Sequence, residues 1–195
     1  APPPPLPPLP PPLPPPPVPP PPSACSRPGR ARPVEVGGRR LIVDGSPLVL
    51  NGVAWSPFAI GSSPNAGHAP DFAGFVDTDA PLMAEAGVNA VRTYFPIRER
   101  AVLDVLWSHG IHVVMTVFYD SGYGHTAATA VDHVCAVNDH PAILMWAVTN
   151  EPNYYYTGGD WEADAQAVIA AVKAADPSRP VTVPHGELPP AALAA

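Results

Sequence analysis

Two adjacent side chains, Asn150 and Glu151, have the clearest chemical potential in this chain of 195 residues. They follow an apolar segment, residues 142–149, whose composition predicts a strand. A carboxyl group beside apolar and aromatic groups has a raised pKa, which suits it to donate a proton near neutral pH. The neighbouring amide can hydrogen-bond a hydroxyl group. Both side chains can serve one site only if the strand ends or bulges there, because successive strand residues point in opposite directions.

Asn150, Glu151 and Pro152 also have a purely structural interpretation, as a turn that ends a strand. The tripeptide arises by chance in a chain of this length with a frequency on the order of a few per cent, so alone it is weak evidence. Its place directly after an apolar run that contains Trp146 makes it more informative. Its function then depends on the fold that presents this strand end.

Strands and helices alternate along residues 41–195. Predicted strands begin near residues 48, 88, 111, 142 and 181, with a mean spacing of about 33 residues that is typical of βα units. The helices between them are predicted from residue 77 or 78 to 86, and over 98–109, 127–137 and 161–175. The strands are apolar throughout, which indicates a parallel sheet covered on both faces. Residues 41–43 and 48–53 flank a turn and predict a hairpin that leads into the first strand.

The loops distinguish a (β/α)8 barrel from a doubly wound sheet. No glycine-rich phosphate-binding motif follows a predicted strand, which removes the main support for a nucleotide-binding sheet. Connections from helix to strand are short, as at Gly87 and Gly110, whereas those from strand to helix are long. All six tyrosines lie at strand ends or in the loops that follow: Tyr94, Tyr119, Tyr123, Tyr154, Tyr155 and Tyr156. This one-sided distribution predicts an α/β fold, the first five βα units of a TIM (β/α)8 barrel, with its binding face at the carboxyl ends of the strands.

The chain resembles the barrel enzymes of glycoside hydrolase clan A in segments 50–53, 86–92, 103–113, 140–146 and 146–153. The resemblance is closest to the family 2 catalytic domain, with family 5 and the fungal glucanosyltransferases as relatives, and it covers about residues 34–190. It implies a retaining glycosidase that hydrolyses β-linked oligo- or polysaccharides and needs no cofactor. It also implies three roles: Glu151 as general acid/base, Asn150 as a contact to the sugar 2-hydroxyl, and Arg92 as a support for the nucleophile.

Two features depart from the family 2 pattern. Tyr94 stands where the family usually has a histidine, and a proline-rich segment precedes the barrel in place of β-sandwich domains. The nucleophile also needs a place, because retaining glycosidases use a second carboxylate about 5–5.5 Å from the acid/base. The resemblance puts that glutamate on the seventh strand, whereas this sequence covers five. We therefore expect the 195 residues alone to be inactive, with Asp120 and Glu187 as substrate contacts or surface carboxylates.

The expected partner is a carbohydrate, because aromatic rings stack on the apolar faces of pyranose rings. Besides Asn150 and Arg92, the predicted substrate-binding residues are Trp55, Tyr94, Tyr119, Asp120, Tyr154 and His185. Further aromatic or histidine side chains could complete the sugar subsites: Tyr123, His125, Tyr155, Tyr156 and Trp161. Two other interpretations stay open: a catalytically incomplete fragment or pseudoenzyme with residual carbohydrate binding, and a proline-rich adaptor.

Residues 1–33 have a different composition, since 17 of the 32 prolines lie within residues 2–22. Such a tract predicts a polyproline II rod, so we expect a disordered linker or spacer before a domain at 34–195. A proline-binding domain of SH3 or WW type is an alternative partner for this tract. Similar tracts occur in hydroxyproline-rich extracellular proteins, which favours an extracellular or cell-wall location.

Charge and cysteine content exclude several classes of function. Residues 41–195 contain five basic and 16 acidic side chains, and this negative balance argues against nucleic-acid binding. No apolar stretch approaches the ~20 residues of a membrane-spanning helix. Cys25 lies in the linker and Cys135 in a predicted helix, so we expect no disulfide framework and a small buried apolar role for Cys135. The seven histidines are scattered and predict no metal site.

Overall fold

The computed structural model describes residues 25–30, 32–119, 125–155 and 161–187. These residues form two sheets. The first is a small antiparallel sheet of three strands, β1 (Glu35–Gly37), β2 (Arg40–Val43) and β3 (Ser46–Leu48). The second is a parallel sheet of five strands in sequential order: β4 (Gly52–Ala54), β5 (Ala90–Thr93), β6 (His112–Phe118), β7 (Ile143–Val148) and β8 (Val181–Thr182).

Helices connect the parallel strands. They are α1 (Phe72–Glu85), α2 (Arg100–Ser108), α3 (Ala127–Val137), the short α4 (Pro152–Tyr155) and α5 (Trp161–Ala175). The predicted α/β fold is confirmed, because sequential parallel pairing with intervening helices is the arrangement of a partial TIM barrel. Within the ranges described, no helix has the length and apolar character that crossing a membrane requires.

Strands β6 and β7 form the centre of the molecule. Val113, Met115 and Val117 alternate along one face of β6 and are buried, and every residue of β7 except Met145 is buried as well. Helices α3 and α5 add Val134, Val137, Val168 and Val172 to the same core. A strand buried on both faces is what the continuous apolar run in the sequence predicts.

Two predicted elements differ from the structure. The single strand expected over 48–53 is two strands, because Asn51 interrupts it. The Asn51 side chain donates to the carbonyl of Gly87 (2.7 Å), and its backbone N–H donates to the Asn89 side chain (2.8 Å). Helix α1 begins at Phe72 rather than at residue 77 or 78, because Asp71 caps it by accepting a hydrogen bond from the Gly74 N–H (2.8 Å).

A buried ion pair lies at the amino-terminal end of β7. Asp176 and Arg179 are 2.8 Å apart, and both side chains are fully buried. Arg179 donates to three backbone carbonyls, those of Asn138, His140 and Ile143. Burial lowers the pKa of the Arg179 guanidinium, and Asp176 opposes this shift. The Asp176 carboxylate also accepts the indole N–H of Trp146 (3.0 Å), so the pair connects β7 with the ends of α3 and α5.

The prediction that the two cysteines do not pair is wrong, because Cys25 and Cys135 form a disulfide. The last residues of the predicted linker lie against the barrel segment and bring Cys25 to α3. Arg30 donates to the carbonyl of Pro141 (2.8 Å), and its backbone N–H donates to Ser178 (3.0 Å). The proline-rich residues 2–22 lie outside the described part of the chain, so the linker and the boundary at residue 34 stay predictions.

We expect Asp176→Ala to lower the free energy of unfolding by ~3–5 kcal/mol, because it leaves the buried Arg179 charge without its partner. Urea unfolding followed by circular dichroism measures the change. Asp164→Ala is the matched control, since Asp164 is an exposed carboxylate on α5 and its removal should change little. Equal effects of the two substitutions would show that the buried pair does not stabilise the fold.

Reduction of the disulfide should also destabilise the protein. The bond joins residues 110 positions apart. A disulfide that closes so long a loop restricts the unfolded chain and thereby stabilises the folded state by about 2–5 kcal/mol. Dithiothreitol should therefore lower the melting temperature of the wild type. It should leave a Cys25→Ser, Cys135→Ser double variant unchanged. A wild-type melting temperature that is the same in both redox states would contradict this expectation.

Candidate functional site

The backbone changes direction where β7 ends. Val148 is the last strand residue, and both Thr149 (φ 65°) and Glu151 (φ 49°) adopt left-handed backbone conformations. Such conformations are uncommon for residues other than glycine and cost about 1–3 kcal/mol each. The strand therefore stops at the point that the sequence requires if Asn150 and Glu151 are to serve one site.

Arg92 on β5 reaches across β6 to this turn. Its Nη2 donates to the Asn150 Oδ1 at 2.7 Å, and its guanidinium lies 4.9 Å from the centre of the Tyr94 ring. Burial lowers the pKa of Arg92, while the nearby Tyr94, Glu151 and Tyr119 side chains counteract the shift. The structure thus brings five predicted site residues together: Arg92 and Tyr94 from β5 and the loop after it, Tyr119 after β6, and Asn150 and Glu151 after β7.

The Arg92 guanidinium retains capacity for another partner. Its Nε is buried and has no hydrogen-bond partner among the residues that the structure describes. A planar guanidinium with an unused donor is suited to a carboxylate or a polar oxygen. The Tyr94 ring adds a cation–π contact, worth about 0.5–2 kcal/mol, that holds the guanidinium plane in place. The tyrosine that departs from the family pattern thus supports the arginine directly.

The loop after β8 forms the other wall of the site. The Glu151 backbone N–H donates to the carbonyl of Pro184 at 2.8 Å. His185, the next residue, lies 6.1 Å from Trp161 in an edge-on arrangement. Both line a groove of about 300 Å³ between α5 and β8. The Nδ1 atom of His185 is buried and has no partner within the described ranges, so it can still bind a polar group.

Two exposed tyrosines stand at the mouth of the site on α4. Tyr154 and Tyr155 are 56% and 61% exposed, and their rings meet at right angles with centroids 5.1 Å apart. Their backbone N–H groups donate to the Glu151 carbonyl, so α4 begins directly from the acidic residue. Exposed rings of this kind offer apolar faces for stacking.

The remaining predicted residues have other positions. Trp55 is 6% exposed, packs against Phe72, and donates its indole N–H to Asp79 (2.8 Å), which favours a role in the core over a substrate contact. The backbone N–H of Tyr119 donates to His125 at 3.1 Å. Glu187 is exposed, and its backbone carbonyl faces the turn after β7. Three predicted residues lie outside the described residues: Asp120, Tyr123 and Tyr156.

Two residues that the sequence does not identify as site residues also border the site: Asn153 and Gly186. They contact each other although they are 33 positions apart, and both lie beside Glu151. An asparagine and a glycine in polar loops are too common to be recognised without the fold. Among the residues that the structure describes, no cluster of three or more histidine, cysteine or carboxylate side chains could hold a metal ion.

Known glycosidases resemble this chain in sequence. Residues 121–192 match the family model for "Glycosyl hydrolases family 2, TIM barrel domain". The β-glucuronidase of Pongo abelii is 29% identical over 174 residues, which are 80% of this chain and 25% of that protein. The chain is related to the family 2 barrel domain. A β-galactosidase of Aeromonas hydrophila subsp. hydrophila is 28% identical over 169 residues, 80% of this chain and 15% of that protein.

Solved structures share the barrel fold with this chain. The Faecalibacterium prausnitzii β-glucuronidase has a TM-score of 0.57 at 22% identity and covers 78% of this chain and 27% of its own. The family 2 β-galacturonidase of Eisenbergiella tayi has a TM-score of 0.57 at 20% identity, over 78% of this chain and 28% of its own. The predicted resemblance to the family 2 barrel domain is confirmed by the family-model match and the sequence relatives, and the solved structures confirm the fold. The chain spans about a quarter of the length of its mammalian relatives.

Proposed function

We propose that the protein is a retaining β-glycosidase in which Glu151 is the general acid/base. The observation that carries this proposal is the turn after β7, where Asn150 and Glu151 follow a buried strand and Arg92 binds the Asn150 side chain. The carboxyl ends of parallel barrel strands are where catalytic residues of such folds lie. The relationship to family 2 glycosidases supports the same assignment.

Glu151 has two successive tasks in this mechanism. It first donates its proton to the glycosidic oxygen while a second carboxylate attacks the anomeric carbon, so the aglycone leaves as an alcohol. It then takes a proton from the water that attacks the glycosyl–enzyme ester, which releases the sugar with its β-configuration retained. By the family resemblance, the nucleophile is a glutamate on the seventh strand of the barrel, so none of these 195 residues is assigned that role.

The contact between Arg92 and Asn150 fixes the direction of the amide. Because Oδ1 accepts from the arginine, the Nδ2 group is left to donate to a substrate oxygen. We assign this donor to the sugar 2-hydroxyl. A hydrogen bond at that hydroxyl strengthens in the oxocarbenium-like transition state. Arg92 therefore orients Asn150 in addition to supporting the nucleophile.

The substrate is proposed to be a β-linked oligo- or polysaccharide. The named relatives act on glucuronides, galactosides and galacturonides, and the residues after β7 and β8 offer the ring faces and polar atoms that a pyranose needs. Tyr154 is exposed for stacking, and Tyr94 and Tyr119 lie near Arg92. His185 follows Pro184, whose carbonyl accepts from the Glu151 N–H. Asp120 stays a proposed contact.

Two alternatives use the same site differently or not at all. A catalytically incomplete chain would bind the sugar through Asn150, Arg92 and the tyrosines without cleaving it. An adaptor would act through the proline tract alone.

The disulfide supports the location that we propose, outside the cytosol, because such bonds persist in oxidising compartments.

In a polypeptide that also carries the seventh-strand glutamate, we expect Glu151→Gln to reduce hydrolysis of β-glycosides with poor leaving groups about 10²–10⁴-fold, because the general acid is lost. Substrates with a 2,4-dinitrophenyl leaving group need little protonation and should form the glycosyl–enzyme nearly as fast as in the wild type. Azide should restore turnover by replacing the activated water, and the product should be a β-glycosyl azide. Steady-state kinetics on methylumbelliferyl and dinitrophenyl β-glucuronides and β-galactosides measure these effects.

The control is Glu85→Gln, which removes an exposed carboxylate at the end of α1. It should leave every rate unchanged. Equal activity of Glu151→Gln and the wild type would refute the acid/base assignment. A wild type that cleaves no substrate but binds phenyl 1-thio-β-D-glucuronide, with loss of binding in Asn150→Ala, would favour the incomplete-chain alternative. Binding of a proline-recognition domain by a peptide of residues 1–22, with no sugar binding by the chain, would favour the adaptor.

A further inference from the structure

We infer that Asn153 is a positioning residue for Glu151, acting as a clamp between the turn after β7 and the loop after β8. The inference rests on the proposed function, since it assigns a purpose to a contact at the proposed acid/base. The clamp consists of the contacts of residues 151–153 with residues 184–187.

The Asn153 side chain makes two hydrogen bonds to the backbone of the β8 loop. Its Oδ1 accepts from the Gly186 N–H at 3.0 Å, and its Nδ2 donates to the Glu187 carbonyl at 3.1 Å. The carboxamide thus uses both its acceptor and a donor on two successive residues of the β8 loop. The backbone bond from the Glu151 N–H to the Pro184 carbonyl (2.8 Å) is the third contact of the clamp.

Gly186 fits this clamp because it has no side chain. A Cβ atom at this position would lie 3.0 Å from Cβ and 3.1 Å from Cγ of Glu151, and 2.9 Å from Cβ of Tyr154. The Gly186 backbone is not among those with positive φ, so the requirement is for space. The glycine backbone therefore packs directly on the aliphatic part of the Glu151 side chain and limits where its carboxyl group can go.

The turn needs such external support because its own backbone is unfavourable. Thr149 and Glu151 both have positive φ, a conformation that persists only where surrounding contacts impose it. Position matters for a proton donor, since a displacement of about 1 Å can reduce a rate about 10²-fold. The clamp supplies contacts from a second strand end, so Glu151 is held from the β8 side as Asn150 is held by Arg92 from the β5 side.

The test compares Asn153→Ala, Asn153→Asp and Gly186→Ala by amide hydrogen exchange in this chain and by kinetics in a polypeptide that also carries the seventh-strand glutamate. Asn153→Ala should accelerate exchange at the Glu151 and Gly186 amides at least about tenfold and leave the β6 amides unchanged. It should reduce turnover of methylumbelliferyl β-glycosides about 10–100-fold while dinitrophenyl β-glycosides change much less. Asn153→Asp keeps the acceptor for Gly186 but loses the donor to Glu187, so its effects should be intermediate.

Gly37→Ala is the matched control for Gly186→Ala. A Cβ at Gly37 would meet only Ile42, at 3.5 Å or more, so this substitution should be silent. Unchanged exchange at Glu151 and Gly186 in Asn153→Ala would overturn the clamp whatever the activity. Equal losses on both leaving groups, with a lower melting temperature, would overturn the positioning role in favour of a structural one.

Failure of the proposed function gives a different result. If the wild type hydrolyses no substrate and Glu151→Gln changes neither binding nor rate, the acid/base assignment is refuted, and the positioning role is refuted with it. The exchange measurement requires no turnover, so it still decides whether Asn153 holds the turn. The two failures are therefore distinguishable in one set of variants.

Discussion

The buried pair of Asp176 and Arg179 is the interaction on which the rest of the structure depends. A guanidinium that is removed from water is tolerable only when its donors are satisfied, and Arg179 meets this condition with one carboxylate and three backbone carbonyls. Those carbonyls lie between the end of α3 and the start of β7. The same carboxylate binds the Trp146 indole inside β7. The pair thus fixes the amino-terminal half of the strand that presents the proposed acid.

The two ends of β7 differ in how well their polar groups and backbone conformations are satisfied. At the amino-terminal end every polar group of Arg179 is paired and buried, and the segment with Cys25 and Arg30 packs over the same region. At the carboxyl end Thr149 and Glu151 are held in left-handed conformations, and the Thr149 hydroxyl is buried without a partner in the described part of the chain. Unfavourable backbone of this kind is typical of sites where function sets the geometry. A rigid strand start allows the strand end to retain it.

Much of the fold could be predicted from the sequence because it follows from local pattern. Helices α3 and α5 have the predicted bounds. Strands β5 to β8 begin within about two residues of the predicted positions, whereas β4 begins at Gly52 rather than near residue 48. The start of α1 could not be placed because its cap, Asp71, lies in a polar loop that offers several capping residues. Although its two residues lie close together in sequence, the burial of the Asp176–Arg179 pair depends on which segments meet in space, and so does the disulfide. The same is true of Asn153 and Gly186.

One distance tests the proposed mechanism most directly, that between the Glu151 carboxyl group and the glycosidic atom of a bound β-glycoside. A crystal structure with phenyl 1-thio-β-D-glucuronide, which is not hydrolysed by glycosidases, measures it. We predict a Glu151 oxygen at about 3 Å from the glycosidic sulfur, the reach of proton transfer, with the Asn150 amide at the 2-hydroxyl. A sugar bound with its glycosidic atom away from Glu151, or bound only on Tyr154 and Tyr155, would contradict the proposed role of Glu151.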